Sequence, residues 1–136
     1  TIRDNDAEYV SLEELLNRSD IVSLHCPLTA ENAEMMNEDT FAKCKNGAYF
    51  INTARGGLVN EQALFNALNS GKLSGAAVDV VKTEPMSKDC VLIGAPNITI
   101  TPHSAWVPVS TRKRLVGIVE NNLSSYLNGN TQNRIV

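Results

Sequence analysis

The chain has 136 residues, a net charge of -3, 43% hydrophobic and 20% charged residues, which is enough to bury one core and excludes a disordered tail or a polybasic nucleic-acid binder. Cys26, Cys44 and Cys90 are odd in number and far apart, with no CxxC pair and no zinc-spaced histidines, so neither a disulfide scaffold nor a metal site is expected. No run approaches the roughly twenty apolar residues of a membrane span, and the start TIRDND lacks the features of a signal peptide, so the expected home is the reducing cytoplasm, with no membrane partner.

Short β-rich runs alternate with amphipathic stretches, the pattern of a parallel sheet flanked by helices. Ser11 and Glu14 have the spacing of a capping box opening a helix over SLEELLNRS, with Leu12, Leu15 and Leu16 on one face. DIVSLHC then reads as a strand buried on both faces and ended by Pro27. A second helix is expected over Glu38 to Cys44 and a second strand from Ala48 to Ala54. Ala63, Leu64, Ala67 and Leu68 repeat at helical spacing between a capping Asn60 and a terminating Gly71. Gly75 to Val81 reads as the third strand and Asn97 to His103 as the fourth, separated by the longest irregular stretch, Thr83 to Pro96. A last helix begins near Ser110, carries Leu115, Ile118, Val119, Leu123, Tyr126 and Leu127 on one side, and is followed by Gly129. Arg112-Lys113-Arg114 is the one cluster of adjacent basic residues and reads as its solvated face.

In an open parallel sheet, ligands bind beyond the carboxyl ends of the strands. Those ends read HCPLT, TARGG, DVVKTEP and TPHSAW, which brings an Arg, an Asp, a Glu and a His to one edge. Each has a plainer reading: Arg55 as a surface arginine, Glu84 as a solvated loop carboxylate, His103 as a structural histidine. Asp79 sits in an apolar run, where an ionised carboxylate is costly unless partnered. His25 reads as structural, Cys26 as a small lining residue, Cys44 and Cys90 as packing or surface thiols, and Trp106 as either a wall of the site or a packing residue. Taken together, Arg55, Glu84 and His103 suit reduction of a carbonyl beside a carboxylate. The arginine fork would hold the carboxylate, the histidine would move the hydroxyl proton, and the glutamate would stabilise imidazolium. None of them can supply hydride, so a nicotinamide cofactor is expected.

SDIVSLHCPLT, NGAYFINTARGGLVNEQAL, GAAVDVVKTEP and NITITPHSAW stand in the order and approximate spacing of the D-isomer-specific 2-hydroxyacid dehydrogenases, and the chain resembles that family over nearly its whole length. The resemblance implies a partial Rossmann-type, doubly wound parallel sheet with a long C-terminal helix, a small 2-hydroxyacid or 2-oxoacid substrate, and NAD as cofactor with NADP not excluded. It implies that Arg55, Glu84 and His103 are catalytic, with His103 the general acid and base. It places Cys26 and Pro27 near the adenosine side of the cofactor, and Thr53, Ala54 and Arg55 along the nicotinamide ribose. Asp79 and the backbone from His103 through Ala105 to Trp106 fall at the nicotinamide end. Tryptophan after PHSA and the ending NNLSSYLNGNTQNRIV resemble the glycerate dehydrogenase or hydroxypyruvate reductase branch. Asn60 stands where the family often has Asp, and Met86 where a bulky apolar residue is common.

The family's GxGxxG turn, its ribose-gripping acidic residue and its substrate domain have no counterpart in this sequence. The expectation is therefore the C-terminal part of the NAD-binding domain of a longer, homodimeric enzyme, negligibly active by itself and prone to self-association through an open sheet edge or the last helix. The alternative is a dinucleotide-sensing interaction module resembling the corepressors of the same superfamily.

Overall fold

The computed structural model describes residues 7–133, and the chain divides into two compact units, Thr1–His103 and Ser104–Val136. The first unit contains, in order, α1 (Leu12–Arg18), β1 (Ile21–Leu24), α2 (Glu38–Lys43), β2 (Ala48–Asn52), α3 (Glu61–Asn69), β3 (Leu73–Val78) and β4 (Ile98–Ile100), with 3-10 turns at Gly56–Leu58 and Val91–Gly94. The strands form one parallel sheet in the order β1-β2-β3-β4. Stepping in one direction with right-handed crossovers puts every connection on the same face. The burial pattern agrees: Val22, Phe50, Ala76 and Val78 of the strands share one core with Leu16 of α1, Phe41 of α2, and Ala63, Leu64, Ala67 and Leu68 of α3. Phe41 meets Phe50 edge to face, ring centres 5.3 Å apart, a geometry favoured by the ring quadrupoles.

The first strand departs from expectation. It alternates exposed and buried rather than being buried on both faces: Ile21 is 60% exposed, as is its ladder partner Tyr49 at 54%. Helices of this unit cover one face only, so the side chains of the opposite face, period two along each strand, have no layer of the unit above them.

Capping chemistry also differs in detail. The Ser11 side chain accepts the Glu14 N–H, but the Glu14 carboxylate pairs with Arg18 at 2.8 Å, one helical turn on, so only half of the expected box forms. Of the three leucines expected on one face of α1, Leu16 alone is buried, while Leu12 and Leu15 stay exposed. A full capping box opens α2 instead: Asn37 accepts from Thr40, and the Thr40 hydroxyl accepts from the Asn37 N–H at 2.7 Å. Asn60 caps α3 through the Ala63 N–H at 2.9 Å, and Gly71 follows with φ +75°, the left-handed conformation that ends helices.

Every strand is shorter at its carboxyl end than the β-rich run that encodes it. The excess residues, from His25, Thr53, Asp79 and Thr101 onward, form the loops of the candidate site, and Asp79 lies just beyond β3 rather than inside it.

The second unit is built on α4 (Val109–Leu127). Gly129, at φ +75°, and Asn130 close its end by donating to the carbonyls of Tyr126 and Ser125, a Schellman-type arrangement. The stripe of Leu115, Ile118, Val119, Leu123, Tyr126 and Leu127 is exposed along its length. No helix among the described residues is long and apolar enough to cross a membrane.

Candidate active site

All four strands run the same way, so their carboxyl ends share one edge of the sheet. Two of the clefts there are lined by residues singled out in the sequence. One, of about 570 Å³, is lined by Asp79, Val81, Glu84, Pro85, Met86, Ile100, Thr101, Pro102 and His103. The other, of about 290 Å³, is lined by His25, Cys26, Pro27, Thr53, Ala54 and Arg55.

In the larger cleft the Glu84 Oε2 lies 2.7 Å from the His103 Nδ1, a charge-assisted distance. Glu84 also accepts the Val81 N–H through Oε1 at 3.1 Å. These two contacts, His103 first, hold the Glu84 carboxyl below the usual carboxylate range, against slight desolvation and the nearby Asp79. With Nδ1 engaged, Nε2 is the ring nitrogen left to face a ligand. His103 has φ +52°, a region that costs a side-chain-bearing residue roughly 1–2 kcal/mol. Its N–H bonds the Thr101 carbonyl across Pro102 at 3.0 Å. Nothing in the sequence announces this backbone twist just past β4.

Asp79 is 5% exposed and accepts from the Thr101 hydroxyl. The partner that its place in an apolar run demanded is thus a residue of the next strand's exit. Glu84-Pro85 is a cis peptide.

The smaller cleft is shaped by a residue the motif reading passed over. Asn52, fully buried at the end of β2, accepts the Ala54 N–H and donates to the Arg55 carbonyl, both at 3.0 Å. This is an Asx-type turn that fixes Thr53 to Arg55. The available signal was an amide closing the apolar run AYFIN. Arg55 is exposed, with Nη1 on the Ala54 carbonyl at 2.7 Å. Gly56 then presses directly on the exit of β3: a Cβ there would lie 2.0 Å from the Val81 carbonyl carbon, so only glycine permits the approach. The Arg55 and Glu84 loops are joined backbone to backbone at this point. His25 bonds the Ser23 hydroxyl at 2.9 Å and lines the cleft beside Cys26.

Of the residues singled out in the sequence, the structure brings Glu84, His103 and Asp79 to one cleft, and Cys26, Pro27, Thr53, Ala54 and Arg55 to the other. Ala105 belongs to the second unit. Chemically, the first cleft offers a proton-transfer pair beside a buried acceptor; the second offers a guanidinium fork among small residues, suited to anionic and hydroxyl groups.

Comparison with known proteins places these features. Residues 1–105 match the family described as D-isomer specific 2-hydroxyacid dehydrogenase, NAD binding domain. A hydroxypyruvate reductase of Blautia hydrogenotrophica is 46% identical over 132 residues, covering 97% of this chain and 41% of that protein. The chain therefore spans about two-fifths of that relative's length. The crystal structure of a D-isomer specific 2-hydroxyacid dehydrogenase from Lactobacillus delbrueckii ssp. bulgaricus in its NAD-complexed form superposes with a TM-score of 0.83 at 29% identity, over 100% of this chain and 47% of that one. The C-terminal-binding protein 1 of Caenorhabditis elegans is 42% identical over 107 residues, 77% of this chain and 15% of that protein.

Proposed function

The chain belongs to the D-isomer specific 2-hydroxyacid dehydrogenase family, as its NAD binding domain, and from that membership we propose that it carries the acid/base apparatus of a hydroxypyruvate or glyoxylate-type reductase. The observation that carries the reading is the 2.7 Å Glu84–His103 pair in a cleft at the strand ends.

The residues present fit a nicotinamide dinucleotide. Asp79 is a buried carboxylate beside Thr101 at the cleft floor, a natural acceptor for a carboxamide. Thr53, Ala54 and Arg55 would lie along the nicotinamide ribose, Thr53 offering it a hydroxyl, with Cys26 and Pro27 as a small apolar wall farther out. His103 would complete the nicotinamide side. NAD, or NADP, held by these residues would supply or accept the hydride. The protein's own residues do the remainder. Arg55 holds the substrate carboxylate and polarises the adjacent carbonyl. His103 Nε2 gives a proton to the carbonyl oxygen during reduction and takes it from the hydroxyl in the reverse direction. Glu84 keeps Nδ1 engaged and supports the imidazolium.

A glycine-rich turn and a substrate domain outside this sequence would complete such an enzyme, which we read as a cytoplasmic homodimer; free Cys26, Cys44 and Cys90 support a reducing compartment. The test is hydroxypyruvate reduction with NADH by the complete protein and its His103→Gln variant. Turnover should fall by about 10²–10⁴, the usual weight of a general acid. Unchanged turnover in the variant would overturn the assignment and favour a role by partner binding, as a likeness to C-terminal-binding protein 1 would allow.

A further inference from the structure

The segment that carries Glu84, residues 82–90, is exposed along nearly its whole length. Its own bonds are sparse: among those described, Glu84 accepts the Val81 N–H just ahead of the segment, the Cys90 N–H reaches the Ser87 carbonyl and the Asp89 N–H the Ser87 hydroxyl. A loop of this kind samples many conformations unless something outside it holds it, yet Glu84 must stay within hydrogen-bond reach of His103. The external hold comes from α3. Glu61, at the first position of that helix, accepts the Lys82 N–H through Oε1 at 2.8 Å. Its other oxygen, Oε2, lies 3.8 Å from the Cys90 Sγ. One carboxylate thus touches the first and last residues of the loop. The helix beneath it is anchored by buried Ala63, Leu64, Ala67 and Leu68 and capped by Asn60, so the tether is fixed to a rigid element. Burial pushes the Cys90 thiol up, which keeps it protonated and able to donate. A second strut runs in the same direction: the Lys82 ammonium reaches Glu34 at 2.6 Å, and Glu34 also accepts from Asn60 at 3.0 Å.

We propose that Glu61 is a positioning residue that pins both ends of the 82–90 loop to α3 and thereby holds Glu84 against His103. The catalytic consequence rests on the functional reading above; the tether itself does not. A glutamate in the first turn of a helix also stabilises the helix through its dipole, so the experiment must separate the two roles.

In the complete protein, Glu61→Ala removes charge and acceptor, whereas Glu61→Gln removes the charge and keeps an oxygen for the Lys82 N–H. Two readouts are taken: titration of the Glu84 side-chain carboxyl by carbon NMR, and hydroxypyruvate reduction with NADH. The alanine variant should let Glu84 titrate closer to the ordinary carboxylate range and lower kcat by about tenfold, the scale of a small misplacement of a reacting group, with KM for hydroxypyruvate nearly unchanged. The glutamine variant should keep the wild-type Glu84 titration and most of kcat. An unchanged Glu84 titration in the alanine variant overturns the proposal, as does equal loss in both variants, which would reduce Glu61 to a helix-end charge. If the alanine variant does not fold, Cys90→Ala decides the two-ended pin: a smaller shift of Glu84 in the same direction supports it, and none overturns it. Should the wild-type protein fail to reduce hydroxypyruvate, the functional reading falls while the titrations still judge the tether.

Discussion

The loop after β2 and the loop after β3 leave the same sheet edge, yet the first is folded into the protein and the second is laid over its surface. Residues 53–58 are fixed from below by the buried Asn52 amide and from the side by the contact of Gly56 with Val81. Residues 82–90 bury almost nothing and are held by a few polar side chains, Glu61 and Glu34 chief among them. The contrast separates two tasks. A residue that must clamp a carboxylate, as proposed for Arg55, gains from a loop whose backbone has one conformation. A residue that must sit beside a histidine from another strand needs a loop long enough to cross the gap, and such a loop cannot be made rigid by burial of its own side chains.

The contrast can be broken most severely at Gly56. Gly56→Ala puts a methyl into the Val81 backbone, and destabilisation of roughly 3 kcal/mol is expected from overpacking that has no flexible side chain to displace. Urea unfolding would measure it; a loss below half that value would show that the two loops are not rigidly joined. Next in size is Asn52→Leu, which keeps the branching and heavy-atom count of the side chain at the end of β2 while removing both loop hydrogen bonds. About 2 kcal/mol should be lost, since a partly buried N–H and carbonyl are left unpaired, and amide exchange at Ala54 should quicken. Unaltered exchange there would mean the loop is shaped by something other than the Asn52 amide.

The smallest effect belongs to the exposed loop. Glu84 is held below its ordinary value of 4.5 in the folded state, so the contribution it makes to stability is complete above that value and is lost as pH falls through the lower, folded one. Glu84→Gln should therefore flatten the acid side of a stability-against-pH curve while changing stability little near neutrality, because the pair is partly solvated. An acid limb identical to wild type would mean that the His103 contact does not persist in solution.

Much of this could be read from residue order. Hydrophobic periodicity gave α3 and its four core residues, and Asn60 and Gly71 marked its ends, because capping and positive φ are local requirements. The strands were identifiable but overextended, since β-propensity runs on through Asn52-Thr53-Ala54 and Val80-Val81 while the ladder stops where side chains and loop contacts claim the backbone. β1 is buried on one face rather than two, a difference that an apolar run cannot reveal because it does not show how many layers cover it. Candidate site residues are legible as types at strand ends. The supporting groups are not: Asn52 falls inside the expected strand Ala48 to Ala54, Gly56 is one of two glycines after Arg55, and Glu61 follows the capping Asn60, with nothing local to mark their distant contacts.

By itself, then, the sequence determined the family, the alternation of strands and helices, and which side chains with useful chemistry stand just past each strand, because these depend on neighbours in the chain. Only the tertiary structure decided that Glu84 meets His103 through Nδ1, that Asp79 finds Thr101, that the two loops touch at Gly56, and that Glu61 reaches both Lys82 and Cys90. Those pairings join residues many positions apart, and their distances follow from strand register and helix placement, which no local pattern encodes.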